Sequence, residues 1–165
     1  MSNILTSTEI KSIVTPVVAF DPSFFDTSIQ YIEDTVIKCI LTEDLYDALV
    51  LAVASPPLSP EYQALFDKVK YAEAYAVAFA SYEKDLERET NNQGLMENHT
   101  QYSKSADAQT TDRILAKIKQ REFDYCYELG NFLINKAEDY PLFNPDDIIY
   151  EPNFRRFFPI WAIYT

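Results

Sequence analysis

Apolar residues recur at helical spacing through most of this 165-residue chain, and this periodicity constrains the fold more than any other feature. The clearest apolar face follows a helix-start signal, in which Asp21 can cap the first turn and Pro22 has no N–H to satisfy. Its core-facing members are Phe25, Ile29, Ile32, Val36 and Ile40. Its predicted solvent-facing members are Gln30, Glu33, Asp34 and Lys38. The segment therefore predicts one amphipathic helix.

The same signals predict a shorter helix on either side of this one. The first runs from Thr6 to Val14, with Thr6 or Ser7 as its cap, and Pro16 ends it. The second, LTEDLYDALVLAVA, has Thr42 as its cap and carboxylates in its first turn, and it ends before SPPLSP.

A long helix begins at Ser59 and Pro60 and reaches about Glu89. At 1.5 Å per residue it is about 45 Å long. Small side chains leave room for a neighbouring helix, so its alanines predict close packing. These alanines stand at positions 72, 74, 76, 78 and 80.

A polar segment separates this helix from the last one. Between Thr90 and Asp112 the apolar period disappears, and the sequence reads TNNQGLMENHTQYSKSADAQTTD. Loops this long in compact domains are usually functional or disordered. Thr111 or Asp112 caps the last helix, which continues to about Asp139, and Gly130 inside it predicts a close contact.

Prolines interrupt the aromatic C-terminal segment, which therefore cannot form one continuous helix. The sequence predicts an all-α fold, a helical bundle of about five helices with two long helices and a long inter-helix loop. We place a helical domain at 1–141, with its loop at 90–112, and an extended aromatic C-terminal tail at 142–165.

The charge balance limits the partners of the chain. With 14 Lys and Arg against 26 Asp and Glu, the net charge is −12. A phosphate backbone and an anionic membrane are both unfavourable partners for such a surface. The N-terminus has no basic region followed by an apolar run, and no stretch reaches the about 18 apolar residues of a membrane helix, so we expect an unexported, soluble protein.

No constellation of reactive side chains is evident. The single histidine, His99, lies in the polar loop and is expected to be solvated. Adjacent carboxylates at 33–34, 138–139 and 146–147 point in different directions on a helix, which favours solvated acidic faces over a metal site. Cys39 and Cys126 are either two core thiols in a reducing compartment or one disulfide. We therefore predict no enzyme activity, no catalytic residue, no cofactor and no metal.

Several segments taken together resemble a known family. LTSTEIKSIV leads to DPSFFDTSIQYIEDTVIKCILTEDLYDALV, and then come a long helix, the polar loop and a last helix ending YP. This order of elements, from Ile4 to Pro141, resembles the head-to-tail connector, or adaptor, proteins of tailed bacteriophages. It is most similar to those of phages that infect gut Bacteroidetes, including the crAss-like phages.

The resemblance implies a structural virion protein. Such a subunit forms an oligomeric ring, commonly of twelve copies, in the virion neck between portal protein and tail, and lines the channel for DNA packaging and ejection. It is assembled in the host bacterial cytoplasm. The loop would face the channel or a neighbouring ring. The loop residues concerned are Asn91, Asn92, Gly94, Leu95, Met96, His99 and Tyr102.

The aromatic tail is the second predicted contact region. Large rings and two arginines are typical interface anchors, and prolines hold the segment extended, which favours docking on a neighbouring subunit or the portal over folding back on its own core. The residues concerned are Phe154, Arg155, Arg156, Phe157, Phe158, Trp161 and Tyr164. The alternative function is a soluble helical-bundle regulator, monomeric or dimeric, that binds another protein.

Overall fold

A computed structural model describes residues 3–14, 21–92 and 108–144 of the chain. These residues are mostly helical and include no strand, which confirms the predicted all-α class. The α-helices are α1 (Ser7–Val14), α2 (Asp26–Ile32), α3 (Lys38–Leu41), α4 (Glu43–Val53), α5 (Pro60–Asn92) and α6 (Ala108–Asn135). A 3₁₀ turn (Pro22–Phe25) precedes α2, a π turn (Glu33–Ile37) joins α2 to α3, and a second 3₁₀ turn (Ala137–Asp139) follows α6.

Three helical segments begin where their capping residues predict. At α1, the Thr6 N–H donates to Glu9 Oε2 (2.8 Å) and the Glu9 N–H donates to Thr6 Oγ1 (3.3 Å), which forms a capping box. Asp21 Oδ1 accepts from the Ser23 N–H at 2.9 Å, so the predicted cap before Pro22 is confirmed. Ser59 occupies the cap position of α5, with its Oγ 3.4 Å from the backbone nitrogen of Tyr62.

The predicted side-chain cap at Thr42 is wrong. Thr42 has φ 71° and ψ 156°, and its side chain makes no capping bond to α4. Its hydroxyl instead donates to the Leu142 carbonyl at 3.2 Å. The chain turns sharply between α3 and α4, and the positive φ that this turn requires directs the hydroxyl towards the segment after α6.

The π turn changes which residues of 22–41 face the core. A π turn inserts one extra residue into a helical turn and so shifts the apolar face by one position. Ile37 is therefore fully buried, whereas Val36, predicted as a core residue, is only partly buried. The other predicted members of that face, Phe25, Ile29, Ile32 and Ile40, are buried as expected.

Helix α5 is the centre of the fold. Every residue from 72 to 78 is buried, which is expected for a helix that is covered on all sides. Helices α1 and α2 pack against α5, and α6 runs antiparallel to it. Paired contacts fix the register of the two long helices: Lys68 with Glu128, Tyr71 with Tyr125, Tyr75 with Arg121, and Phe79 with Lys119. The alanines that predicted close packing are buried at 72, 74, 76 and 78, and Ala80 is partly buried.

The predicted inter-helix loop, residues 90–112, is too long at both ends. Helix α5 extends to Asn92 and α6 begins at Ala108, so neither Thr111 nor Asp112 caps α6. The polar residues at these two helix ends interrupt the apolar pattern, but the backbone stays helical. Once a helix has formed, each residue added to its end makes one more backbone hydrogen bond, whatever its side chain. Residues 93–107 lie outside the described residues.

The chain after α6 packs back onto the bundle. Helix α6 ends at Asn135, short of the predicted end near Asp139. The Tyr140 hydroxyl donates to the Glu61 carbonyl at 2.9 Å, and Phe143 is buried in the core. The helical body therefore includes the first residues of the segment predicted as a tail.

The two cysteines are free in the structure, which rules out the disulfide alternative within one chain. Cys126 is buried, as expected of a core thiol, whereas Cys39 is exposed, and that half of the prediction is wrong. The π turn just before Cys39 rotates it to the solvent side while its neighbour Ile40 stays in the core.

Candidate functional site

The residues predicted as contact sites from the sequence fall mostly outside the described part of the chain. The tail residues Phe154, Arg155, Arg156, Phe157, Phe158, Trp161 and Tyr164 all lie there. So do the loop residues Gly94, Leu95, Met96, His99 and Tyr102, and the carboxylates at 146–147. Asn91 and Asn92 form the C-terminal end of α5.

The structure reveals a buried carboxyl pair that sequence reasoning missed. Glu33 was predicted to lie on a solvated acidic face, but its exposure is 0%. The π turn that begins at Glu33 rotates the side chain inward, while Asp34 stays on the surface and pairs with Lys38 (2.8 Å). Glu73, on the central helix, also has an exposure of 0%.

Glu33 anchors the N-terminal segment of the described chain. The Ile4 N–H donates to Glu33 Oε1 at 2.7 Å, and the bond is buried. Ile4 and Leu5 are themselves core residues, 3% and 2% exposed. The segment before α1 is therefore held both by apolar burial and by a charge-assisted hydrogen bond across 29 residues of sequence.

Glu73 lies beside this anchor without a formed hydrogen bond. Neither of its carboxyl oxygens, nor Glu33 Oε2, has a partner of good geometry among the described residues. The Leu5 N–H and the Glu33 carboxyl lie close enough to act on it electrostatically. An ionised carboxylate in such a place is costly, so Glu73 is expected to carry a proton.

The pKa shifts follow from this geometry. Burial, reinforced by the negative charge of Glu33, raises the pKa of Glu73 well above its usual range, and the Leu5 N–H opposes the shift. Burial also raises the pKa of Glu33, against the Ile4 N–H and the Tyr46 hydroxyl, both of which favour its charged form. Burial and the Glu33 charge raise the pKa of Tyr46 in turn. Glu73 therefore favours its protonated form, beside a Glu33 carboxyl whose Oε1 accepts from the Ile4 N–H.

The pair could exchange a proton chemically, but it is closed to solvent. A substrate would reach it only after displacing the segment that carries Ile4 and Leu5. We therefore interpret the pair as an anchor for that segment rather than as an active site. The sequence signal was the lone carboxylate of Glu73 inside the otherwise small and apolar run YAEAYAVAFA.

Two further titratable groups on α6 are shielded from water: Cys126 is buried and Glu122 is partly buried. Burial raises the pKa of Glu122 to about 8, and Glu83 of α5 adds to the shift while Lys119 opposes it. Burial raises the pKa of the Cys126 thiol, with a contribution from Glu122. A thiol shielded in this way is a poor nucleophile.

The outer surface of α4 and the early turns of α6 differ in charge. Asp44 and Asp47 are exposed on α4 beside Leu51, which is 70% exposed. Arg113 and Lys117 are exposed on the first turns of α6, and Tyr127, further along that helix, is 52% exposed. Among the side chains that the structure describes, which exclude those of 85–92 and 108–112, these four charged residues make no ion pair.

The described residues include neither a cluster of metal-ligating side chains nor a helix suited to cross a membrane. No group of three or more His, Cys, Asp or Glu side chains in residues 3–14, 21–92 and 108–144 is placed to hold a metal ion. Over the same residues, no helix combines the length and the apolar character needed to cross a membrane.

Comparison with known proteins identifies a family. A family model with the description "Family of unknown function (DUF6712)" matches residues 37–149, which is more than half of the chain. No curated protein and no solved structure matches. The matched region contains α4, α5 and α6, so Glu73 and Tyr46 fall inside it and Glu33 falls outside.

Proposed function

The chain belongs to the DUF6712 family of unknown function, and we propose that it is a structural virion protein, a head-to-tail connector subunit of a tailed bacteriophage. About twelve copies form a ring in the neck, between the portal protein and the tail, and line the channel through which DNA is packaged and ejected. The proposal includes no catalytic activity and no cofactor. The protein is assembled in the host bacterial cytoplasm and contacts other copies of itself, the portal and other neck or tail proteins.

The distribution of large apolar side chains on the outer surface is the observation that carries this proposal. Leu51 is 70% exposed on α4, and Tyr127 and Ile134 are 52% and 45% exposed on α6. A single exposed apolar side chain is ordinary, but apolar side chains on two separate helices suit a subunit with a neighbour on each side.

The interior supports a structural role. The buried Glu33 carboxyl holds the chain to itself, because its Oε1 accepts a hydrogen bond from the Ile4 N–H. The central helix is buried over 72–78, with α1, α2 and α6 packed around it. A packed body with exposed helix faces suits a subunit of a closed ring.

The charge of the chain suits a DNA channel. The net charge of −12 leaves the surface with few places where a phosphate backbone can bind. A channel that conducts DNA must not retain it, and a negative wall repels the passing duplex.

The direct test is to measure the mass and shape of the assembly that the full-length chain forms in solution. We expect sedimentation velocity to show a concentration-dependent species of about twelve copies, and negative-stain images to show rings with a central hole. If the purified chain assembles only on its natural template, adding the portal protein is expected to produce the same ring on the portal. A protein that stays monomeric or dimeric at every concentration, with the portal present or absent, refutes the ring and supports the regulator alternative.

A further inference from the structure

Charge is segregated between two regions of the chain. From residue 39 to residue 67 there is no Lys or Arg, and this stretch includes the whole of α4 with its three carboxylates. From Arg113 to Arg121 there are four cations and no carboxylate. The chain has almost twice as many acidic as basic residues, so this stretch of α6, flanked by Asp112 and Glu122, departs from the average composition.

The acidic region presents one continuous face. Asp44, Asp47 and Leu51 are spaced by three and four residues, so they lie on the same side of α4. All three are exposed, while Leu45 and Leu49 on the opposite side are buried. Lys38 acts on Asp47 electrostatically, but its ion pair is with Asp34. We call Asp44, Asp47 and Leu51 the acidic face.

The basic region also presents one face. Arg113 and Lys117 are four residues apart and both exposed. Ala116 lies beside them and is exposed. Further along the same side of α6, beyond exposed Gln120 and Asp124, which are hydrogen-bonded to each other, Tyr127 has a half-exposed ring. We call Arg113, Ala116, Lys117 and Tyr127 the basic face.

The fold keeps these faces apart within one copy. The start of α6 lies along the C-terminal half of α5, as the contacts of Lys119 with Phe79 and of Arg121 with Tyr75 show. Helix α4 packs on α3, and the residue before it bonds to Leu142, beyond the other end of α6. No ion pair joins the two faces in the described residues.

We propose that the acidic face of one copy docks on the basic face of the next copy. The occupant of each face is thus a second copy of this chain, and the argument is charge complementarity between two separated faces that each include an exposed apolar side chain. Because the faces are different, the contact is heterologous, and repetition of one heterologous contact closes a ring when the rotation allows it. The inference rests on the proposed ring and specifies its subunit contact.

Charge reversal tests the pairing. The acidic-face variant is Asp44→Lys with Asp47→Lys, and the basic-face variant is Arg113→Glu with Lys117→Glu. Each variant alone brings like charges together at every contact, so we expect the concentration for half-assembly to rise by about tenfold or more. An equimolar mixture of the two variants restores opposite charges at every contact, if the copies alternate, and is expected to assemble at close to the wild-type concentration.

Matched controls test whether a loss of assembly comes from the broken pairing, from the changed net charge or from misfolding. Glu61→Lys with Glu138→Lys changes the net charge as much as the acidic-face variant, at exposed positions outside both faces, and is expected to leave assembly within about threefold of wild type. Circular dichroism should show unchanged helicity in all variants, because the substitutions are on exposed helix surfaces. Higher salt should weaken wild-type assembly by screening the pairing.

The outcomes distinguish the pairing from the ring itself. If the wild type forms rings and both reversed variants still assemble, or if the mixture does not recover, this docking surface is wrong and the connector function stands. If the wild type stays monomeric at every concentration, with or without portal protein, both proposals fall. If each variant alone fails to assemble and the mixture of the two assembles again, the result supports the pairing of the acidic and basic faces.

Discussion

Replacing Glu73 by Gln tests whether the buried carboxyl pair holds a proton in the folded protein. Glutamine has nearly the same shape as a protonated glutamic acid, and its NH₂ group can donate towards Glu33 as the acid O–H would. Its carbonyl oxygen can face the Leu5 N–H, which already acts on the Glu73 carboxyl. The substitution therefore keeps the neutral state of the pair and removes the possibility of ionisation.

The size of the effect follows from proton linkage. A carboxyl whose pKa is raised on folding contributes stability that is fully present below its unfolded pKa, 4.5 for Glu73, and lost as pH rises towards the folded pKa. While native Glu73 keeps its proton, each pH unit above that value costs the folded protein about 1.4 kcal/mol. The loss accumulates from the unfolded pKa upwards for as long as native Glu73 stays protonated, so wild type should be less stable at pH 8 than at pH 5. Glutamine does not ionise, so Glu73→Gln does not lose this stability. The free energy of unfolding of the variant minus that of wild type should therefore increase with pH.

The assay is urea unfolding of both proteins at pH 5, 6, 7 and 8, followed by circular dichroism. Other groups with raised pKa, such as Glu122, are present in both proteins and cancel in the difference. Glu138→Gln, at an exposed position, is the control and should show no pH-dependent difference from wild type. A difference between Glu73→Gln and wild type that stays constant with pH, or that shrinks as pH rises, would show that native Glu73 is ionised and would refute the reasoning.

Three further substitutions or treatments have definite expected outcomes. Thr42→Gly should be more stable than Thr42→Ala by about 1 to 3 kcal/mol in thermal or urea unfolding, because both lose the hydroxyl bond to Leu142 but only glycine takes φ 71° and ψ 156° without strain; equal stabilities would contradict the positive φ. With Ellman's reagent, exposed Cys39 should react within seconds to minutes and buried Cys126 only on unfolding, so Cys39→Ser should abolish the fast phase; a fast phase that persists would place Cys126 at the surface. Deletion of 153–165 should leave a helical, soluble chain that no longer enters phage particles, whereas outright unfolding would assign that segment to the core and normal incorporation would make it dispensable.

Local signals in the sequence were reliable where one residue and its near neighbours decide the outcome. The caps at Thr6, Asp21 and Ser59 form because a side-chain oxygen and a backbone N–H two or three residues away meet in any chain that starts a helix there. The helical class and the apolar faces of α5 and α6 follow from periodicity in the same way. The polar flanks at 90–92 and 108–112 show the limit, since composition there indicated a loop and the backbone remained helical.

The sequence by itself determined that the chain is helical, where three of its helices begin, and that its charge is strongly acidic, because these depend on short-range contacts and on composition. Only the tertiary structure determined the burial of Glu33 and Glu73 and the backbone conformation of Thr42. Glu33 is carried inward by a π turn, and Glu73 is covered because α1 and α2 close over the central helix. Thr42 adopts a positive φ and bonds to a residue 100 positions away. The burial of a side chain, and therefore its pKa, depends on which segments from elsewhere in the sequence pack around it. A local sequence pattern contains no information about those distant segments.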